Sequence, residues 1–199
     1  MKTKSLIKNK ARELFNRHGV MNITLRDVAR ELNKSYGNLT YHYPKKETLI
    51  MELYEEMNIE LLSLQSPNEE ENLLSYFLNL PALSYEMSLK YIFFLVDFIE
   101  LKRNYTKVFS EMARIREERK LKWKLLLNKL RSLGYFNDSI TAEDLDYIMF
   151  LSGSVRAAYF QIQPPSNYSK KQYVKTVNSL LKPYLSIVGL DIYRNFKIV

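Results

Sequence analysis

The sequence predicts an all-α protein in which an N-terminal three-helix unit with a helix-turn-helix precedes a larger helical body. The chain of 199 residues is rich in Leu, Lys, Glu and Arg and holds only five Gly and six Pro, a composition that favours helices. Apolar residues recur at helical spacing along most of its length. Two helix-start signals, at Thr24 and Ser35, lie close together. We expect the first domain to span residues 1–48 and the second to span residues 49–199.

The two short helices are predicted from their ends. Thr24 and Asp27 form a capping box, in which a hydroxyl and a carboxylate satisfy the free amides of a helix start. Asn33 is suited to the left-handed backbone conformation that ends a helix, and Ser35 is a second N-cap. Helices joined by so short a turn form a helix-turn-helix, whose second member can enter a DNA major groove. The first of these helices has an apolar face made by Leu25, Val28, Ala29 and Leu32.

Helical patterns also flank the helix-turn-helix. Residues 4–18 have one apolar face and end at Gly19, which is suited to a helix stop. A fourth helix is expected to begin around Pro44, with that proline in its first turn, and to continue to about Leu64. Its acidic residues would repel DNA, so we expect it to point away from DNA after the first turn.

The body is expected to contain several further helices. The sequence Ser66-Pro67-Asn68 is predicted to break the chain, and residues 69–79 are predicted to form a helix that Pro81 closes. An aromatic helix is expected over residues 85–103. Longer helices are predicted over residues 106–133, 141–163 and 169–185, and Pro183 is expected to kink the last of them.

Positive charge is concentrated in the first quarter of the chain. The formal charge of the protein is +8, and residues 1–50 hold eleven Lys and Arg against four Asp and Glu. We call the basic residues 1–50 the head and the nearly neutral remainder the body. This distribution of charge is typical of proteins that bind polyanions, because neutralising phosphates releases condensed counterions. The alternative is a basic face that is only solvated.

Several classes of protein are disfavoured by composition. With no Cys and only His18 and His42, the chain has no thiolate nucleophile, and we expect no metal site and no cofactor. No glycine-rich phosphate loop is evident, so an enzyme is not expected. No apolar run reaches the length of a membrane span, and the N-terminus lacks a signal-peptide core, so we expect a soluble cytoplasmic protein.

The chemistry of the second helix suggests how it would bind DNA. Leu39 and Tyr43 lie one turn apart and should face inward, which leaves the polar side chains outside. Amide, hydroxyl and ring groups can bond to base edges, whereas other hydroxyl and basic groups suit phosphates. Tyr41 and His42 could instead be ordinary half-buried surface residues. The predicted base readers are Tyr36, Asn38 and Thr40, and the predicted phosphate contacts are Thr24, Ser35, Tyr41, His42 and Lys46.

Residues 7–50 resemble the homeodomain-like DNA-binding domain of the TetR (AcrR) family of bacterial transcriptional regulators. The resemblance rests on four segments in order: residues 11–15 with Gly19, then 24–29, 35–39 and 42–49. Asn33 stands where the family usually has Gly, and Tyr43 replaces the usual Phe. Thr40 stands where an aromatic residue is common, so Thr40 and Tyr41 could exchange the phosphate-contact role.

The resemblance implies a homodimeric regulator, more often a repressor, that binds double-stranded DNA at a near-palindromic operator and releases it when a small molecule enters the body. It also implies a dimer interface made by the last two long helices, which resemble those of the family in place and length. The interface residues are predicted to be Gly153, Ala157, Val177, Leu181 and Tyr184.

Candidates for a ligand pocket come from interrupted apolar patterns. Asp97 interrupts an apolar segment and could bind a basic ligand group, although an internal Arg or Tyr could equally satisfy it. Arg156 could pair with Asp97 or bind an acidic ligand. The apolar stripe that contains Trp123 could be ordinary core. The candidate pocket residues are Phe94, Asp97, Phe98, Arg119, Trp123 and Arg156.

A second hypothesis is a DNA-binding adaptor or structural module without a small-molecule ligand, whose body binds a protein partner. A basic amphipathic membrane binder is disfavoured because the first helix has the apolar face expected of a domain core.

Overall fold

A computed structural model describes residues 2–64 and 72–198 of the chain, and these residues fold almost entirely as helices. The all-α prediction is confirmed, since the described part of the chain is 79% helical and contains no β-strand. The helices are α1 (Lys2–His18), α2 (Leu25–Glu31), α3 (Tyr36–His42), α4 (Lys46–Ser63), α5 (Leu73–Lys90), α6 (Phe93–Val96), α7 (Phe98–Asn104), α8 (Thr106–Ser132), α9 (Ala142–Ile162), α10 (Lys170–Ser179) and α11 (Ile187–Asn195).

The chain forms two compact units. The first comprises Met1–Leu62 and Met87–Arg114, and the second comprises Ser63–Glu86 and Ile115–Val199. The first unit therefore includes the predicted DNA-binding domain and nearly all of α4. It also includes the end of α5, helices α6 and α7, and the first residues of α8. No helix in the described part of the chain is long and apolar enough to cross a membrane.

The core of the first unit is built on α1. Phe15 is buried on α1 and meets Phe93 edge to face at 5.4 Å between ring centroids. Each fully buried side chain of this size stabilises the fold by roughly 1.5–3 kcal/mol. Leu39 and Tyr43, predicted to face inward, are both fully buried. Other fully buried members of this core are Ile7, Ala11, Val20, Val28, Leu49, Ile50 and Leu53.

Three proline predictions are corrected by the structure. Helix α4 begins at Lys46, so Pro44 lies two residues before it rather than in its first turn. Pro81 lies inside α5 and is buried there, because packing on both sides of the helix outweighs the loss of one backbone donor. Helix α10 ends at Ser179, and Pro183 belongs to a separate 3₁₀ turn before α11. The predicted break at residues 66–68 lies outside the described residues.

The predicted aromatic helix over residues 85–103 is also corrected. Tyr85 belongs to α5, and the rest forms the short helices α6 and α7, which meet at Asp97. At the break the backbone of Asp97 has φ = −95° and ψ = 18°, outside helical geometry, and its side chain accepts a hydrogen bond from the backbone of another segment.

The second unit is closed by contacts between the α8–α9 turn and the segment before α11. Phe136 forms an isolated antiparallel bridge with Leu185, and the Ser186 amide donates to the Tyr135 carbonyl at 3.0 Å. Gly189 lies so close to Tyr135 that a Cβ atom there would be 2.2 Å from the Tyr135 carbonyl oxygen. The backbone of α11 is therefore held directly against the turn.

Candidate nucleic-acid interface

The start of α2 is fixed by the predicted capping box. The Asp27 amide donates to the Thr24 hydroxyl at 3.2 Å, and the Thr24 amide donates to the Asp27 carboxylate at 2.9 Å. The Thr24 hydroxyl also donates to that carboxylate at 2.7 Å, which together with the amide bond lowers the pKa of Asp27. The proton of the Thr24 hydroxyl is thus engaged, and a phosphate would have to compete with Asp27 for it.

The turn between α2 and α3 has the predicted geometry. Asn33 has φ = 53°, the only described non-glycine residue with a positive φ, which confirms its left-handed conformation. The Ser35 hydroxyl then accepts the Asn38 amide at 3.1 Å and caps α3. The turn is tight, because only Asn33 and Lys34 lie between the C-cap residue Leu32 and the N-cap residue Ser35.

Helix α3 has one buried and one exposed face. Leu39 is buried, whereas Tyr36 and Asn38 are exposed. Thr40 is half-buried, and its hydroxyl donates to the carbonyls of Tyr36 at 3.1 Å and Gly37 at 3.3 Å. Tyr36 and Asn38 thus present their polar groups outward, while Thr40 presents a methyl group and oxygen lone pairs.

The end of α3 carries two aromatic side chains. The Tyr41 side chain is 83% exposed, and its ring meets the half-buried ring of His42 edge to face at 5.2 Å. A tyrosine this exposed contributes little to the core, so its ring and hydroxyl are free for an external contact. This supports the prediction for Tyr41 over the reading of an ordinary half-buried residue.

Arg26 is a candidate residue that the sequence reading missed. It is exposed near the start of α2, and its guanidinium lies 5.0 Å from the ring centroid of Tyr36, in cation–π geometry. The contact joins the first turns of α2 and α3, where backbone dipoles favour anions. The signal in the sequence was a basic residue two positions after the N-cap Thr24. These residues border a shallow groove of about 490 Å³, lined by Ile23, Thr24, Leu25, Arg26, Tyr36, Pro44, Lys45 and Lys46.

Lys46 occupies a different position from that of an ordinary surface lysine. Its ammonium donates to the Val20 carbonyl and lies 5.6 Å from the ring centroids of both Phe15 and Tyr105. Burial lowers its pKa to about 8, against the opposing charges of Asp27 and Asp97. A phosphate contact by Lys46 would therefore require its ammonium to leave Val20, whereas the neighbouring Lys45 is exposed.

Many basic residues of the N-terminal segment are already paired. On α1, Lys4 pairs with Glu52 of α4 at 3.1 Å, and both Lys8 and Arg12 pair with Glu56. Burial alone would raise the pKa of Glu56, but the hydrogen bond and charge of Lys8 bring it below its usual value. Glu52 and Glu56 of α4 thus neutralise basic residues of α1, whereas Glu55 is exposed and Glu60 pairs with Lys90.

The remaining positive charge lies near the helix-turn-helix. Arg30 pairs with Asp27 at 2.7 Å, and Glu13 pairs with both Lys10 and Arg17. Among the described residues no carboxylate pairs with Arg26, Lys34 or Lys45, so these three cations are available to an external anion.

Asp97 lies against the predicted DNA-binding domain. Its carboxylate accepts the Val20 amide at 2.7 Å, so neither a ligand nor an Arg or Tyr side chain supplies this hydrogen bond. Burial raises its pKa, against the effects of that bond and of Lys46. Asn16 makes a second link, donating to the Lys90 carbonyl at 2.9 Å and accepting the Phe93 amide at 3.3 Å. The segment from Lys90 to Asp97 is thereby bonded to the end of α1 and the turn after it.

The six candidate pocket residues divide between the two units. Phe94, Asp97 and Phe98 belong to the first unit, and Arg119, Trp123 and Arg156 belong to the second. Two of them are in contact in the second unit, where the Arg156 guanidinium lies 5.5 Å from the Trp123 ring centroid.

The five predicted interface residues also differ in exposure. Val177 and Leu181 are buried in the core of the protomer, at 4% exposure each, so their side chains are already used there. Gly153 is exposed with open space around it, and Ala157 and Tyr184 are half-buried. The large exposed apolar side chains of these helices lie elsewhere, at Tyr147, Phe150 and Ile162 on α9.

Comparison with known proteins agrees with this arrangement. Residues 7–53 match the family described as bacterial regulatory proteins, tetR family. No curated protein sequence matches the chain.

Solved structures resemble the whole chain. A TetR-family transcriptional regulator from Marinobacter aquaeolei VT8 has 20% sequence identity and a TM-score of 0.82, with 99% of this chain and 100% of that one covered. The fatty acid degradation regulator FadR from Bacillus halodurans has 17% identity and a TM-score of 0.71, with 89% and 93% covered. A protein from Saccharomonospora viridis solved in complex with choline has 16% identity and a TM-score of 0.74, with 93% and 98% covered.

The match over residues 7–53 agrees with the helix-turn-helix geometry of the N-terminal helices, and the chain as a whole has the fold of solved TetR-family transcriptional regulators.

Proposed function

We propose that the protein is a ligand-responsive transcriptional repressor of the cytoplasm that binds a near-palindromic operator as a homodimer. The observation that carries the proposal is the exposed face of α3, a short capped helix whose other face is locked in the core by Leu39 and Tyr43. A rigid helix that presents amide, phenol and hydroxyl groups is suited to the major groove. In this proposal residues 1–48 bind DNA, and residues 49–199 bind the effector and the second subunit.

The DNA contacts follow from exposure and from the bonds already made. Tyr36, Asn38 and Thr40 read bases. Ser35, Tyr41 and His42 contact phosphates, and Arg26 joins them because its guanidinium is exposed and unpaired by any described carboxylate. Thr24 and Lys46 are retained as phosphate contacts that must each give up an internal hydrogen bond, to Asp27 and Val20 respectively.

The second subunit is proposed to cover an exposed apolar surface on α8 and α9. Leu121 and Leu125 lie one turn apart on α8, Tyr147 and Phe150 lie one turn apart on α9, and all four are at least 59% exposed. Lys124 pairs with Asp146 at 3.2 Å between these helices, which places the two pairs on adjoining helix surfaces. We call these four residues the α8–α9 patch. Contiguous apolar surface of this kind marks interaction sites.

Gly153 and Ala157 continue the exposed side of α9 beyond the α8–α9 patch. A dimer built on this side of α9 would place small residues where two helices approach closely. Dimerisation is also required by the reading of DNA, because one short helix contacts too few base pairs for a specific site and two heads contact twice as many.

Selection of bound sequences from random double-stranded DNA tests the proposal. We expect an enriched site with two-fold symmetry and half-sites about one helical turn apart. The proposal would be overturned if no symmetric site were enriched. The matched pair Asn38→Ala and Arg26→Ala separates the two kinds of contact, since the first should relax preference at one position and the second should weaken all sequences alike.

The adaptor hypothesis makes a different prediction for the body. If the body binds a protein rather than a small molecule, no compound should raise the melting temperature, and the isolated partner should release the protein from its operator. Release of operator DNA by a small molecule would favour the ligand-responsive repressor.

A further inference from the structure

Arg156 is a cation without an anionic partner. Its Nε atom is buried and has no hydrogen-bond partner among the described residues. One Nη atom donates to the Ser84 hydroxyl at 3.4 Å, a long bond to a neutral group. No described carboxylate pairs with it, and the residue as a whole keeps partial exposure.

Burying the guanidinium of Arg156 without a counter-ion is energetically unfavourable. Burial lowers the pKa of Arg156, against the influence of Tyr173, yet a guanidinium stays protonated in proteins. A buried ion without a counter-ion costs several kcal/mol of desolvation. Two other half-buried cations have a carboxylate partner, since Lys90 pairs with Glu60 at 2.6 Å and Lys8 pairs with Glu56. The site of Arg156 therefore lacks one negative charge.

The surroundings of Arg156 are aromatic. Its guanidinium lies 5.5 Å from the Trp123 ring centroid, and Trp123 meets Phe77 edge to face at 5.4 Å. Tyr173, which also influences Arg156, is buried against Tyr85 at 5.4 Å between ring centroids. These rings favour an apolar ligand body, while the Ser84 hydroxyl accepts a hydrogen bond from the guanidinium.

We propose that Arg156 binds the carboxylate of a small organic acid with an apolar body, and that molecules of this class are the effectors. The Nε and one Nη atom can donate to the two oxygens of a carboxylate in the parallel geometry that guanidinium groups favour. A phosphate is a poorer match, because its greater charge needs more donors than Arg156 and Ser84 supply. The proposal rests on the effector response of the proposed function and specifies its ligand class.

The single Trp of the chain supplies the measurement, since Trp123 lies against Arg156. Tryptophan fluorescence is followed during titration of the full-length protein with octanoate, dodecanoate and phenylacetate. Octanol, dodecanol and 2-phenylethanol serve as uncharged probes with matched apolar bodies, and inorganic phosphate serves as an anion without one. We expect a saturable change with at least one acid at concentrations at least tenfold below those needed for its matched alcohol, and none with phosphate.

Variants of Arg156 test whether the change in tryptophan fluorescence comes from acid binding at this residue. Arg156→Gln should weaken acid binding about tenfold or more, because it removes a charge-assisted hydrogen bond. Arg156→Lys should retain part of the binding, and Arg131→Gln, which alters an exposed arginine in the last turn of α8, should bind as the wild type does. Circular dichroism verifies that each variant is folded, and Arg156→Lys serves alone if Arg156→Gln does not fold.

Three results would overturn the proposal: no fluorescence change with any of the acids, equal affinity for an acid and its alcohol, or undiminished acid binding in a folded Arg156 variant. The titration contains no DNA, so its failure leaves operator binding untouched. Conversely, failure to select a symmetric operator would leave a positive titration standing.

Discussion

Lys46 shows how the environment of one side chain sets its charge. Its pKa of about 8 lies below the ordinary value of 10.5, because burial disfavours the charged form. The folded protein therefore loses this proton as the pH rises through about 8, while the unfolded chain keeps it to about 10.5. Between these values the unfolded state binds more protons, so the contribution of Lys46 to the free energy of unfolding rises with pH.

The pH dependence of DNA binding through Lys46 should have the opposite sign to that of stability. A phosphate beside Lys46 favours the protonated form, so if Lys46 makes this contact, DNA affinity should fall between pH 7 and pH 9. In Lys46→Arg the cation stays charged throughout, and this part of the pH dependence should disappear. Operator titrations of both proteins at the two pH values, at fixed salt concentration, measure the difference. The same fall in both proteins would mean that Lys46 stays on Val20 in the complex.

Asn38 and Arg26 test the division between base and phosphate contacts. Asn38→Ala should cost about 1–3 kcal/mol on the preferred operator and much less on an operator changed at the contacted base pair. Arg26→Ala should weaken both operators equally and reduce the slope of log K against log salt concentration by about one per head. Binding titrations on the two DNAs at several salt concentrations distinguish these outcomes.

At the scale of elements, the junction of α6 and α7 is held to the turn after α1 by one carboxylate. Asp97→Ala removes the acceptor of the Val20 amide and should lower the free energy of unfolding by about 1–3 kcal/mol, because that amide loses its partner. Asp97→Asn keeps an acceptor oxygen and should lose less. Urea unfolding of both variants measures this, and equal losses would show that charge rather than the hydrogen bond is what matters there.

The contact of α11 with the α8–α9 turn gives a second prediction at this scale. Gly189→Ala puts a methyl group against the Tyr135 carbonyl, so α11 must shift and the protein should lose a few kcal/mol of stability. Gly37→Ala is the matched control, since nothing lies within 4 Å of its Cβ position. Without DNA, that variant should be as stable as the wild type or more stable by up to about 1 kcal/mol. Thermal unfolding of the two variants compares them directly.

Some of these elements could be predicted from the sequence and others could not. The capping box at Thr24 and the left-handed Asn33 were predictable because each depends on neighbours within three residues. Pro81 was misread because tertiary packing overrides its local preference. The bond between Asp97 and Val20 joins residues 77 apart, and no local pattern reveals it.

The candidate site was predicted to a similar extent. Helical periodicity was enough to assign the exposed face of α3 and the buried Leu39 and Tyr43. The engagement of Lys46 with Val20 was not predictable, because it depends on where a flexible side chain finds space among Phe15 and Tyr105. Val177 and Leu181 were assigned to a dimer interface from helix position alone, which does not distinguish the core of a protomer from contact with a partner.

At the scale of the whole molecule, the proposed dimer depends on the α8–α9 patch. Phe150→Glu should place a charge in the apolar interface, separate the subunits and abolish binding to the full operator, while the helices persist. Ile187→Glu is the matched control, since Ile187 is 88% exposed on α11, outside the patch. Sedimentation at several concentrations measures the assembly. A dimer that survives Phe150→Glu would place the interface on another surface.

The ion pairs within the N-terminal segment, three of which join α1 to α4, affect how strongly salt weakens DNA binding. Six basic residues of the N-terminal segment have a carboxylate within 4 Å, so they contribute little to the release of cations from DNA. Among the described side chains, Arg26, Lys34 and Lys45 remain in each head without a carboxylate partner, apart from Lys46, which is held by the Val20 carbonyl. Two heads with three such cations each correspond to a slope of log K against log salt concentration of roughly −5, and the slope becomes roughly −7 if Lys46 also leaves Val20 to contact a phosphate. The formal charge of +8 per chain would suggest a far steeper dependence. We therefore expect the protein to stay on its operator over a wider range of salt concentration than its net charge suggests.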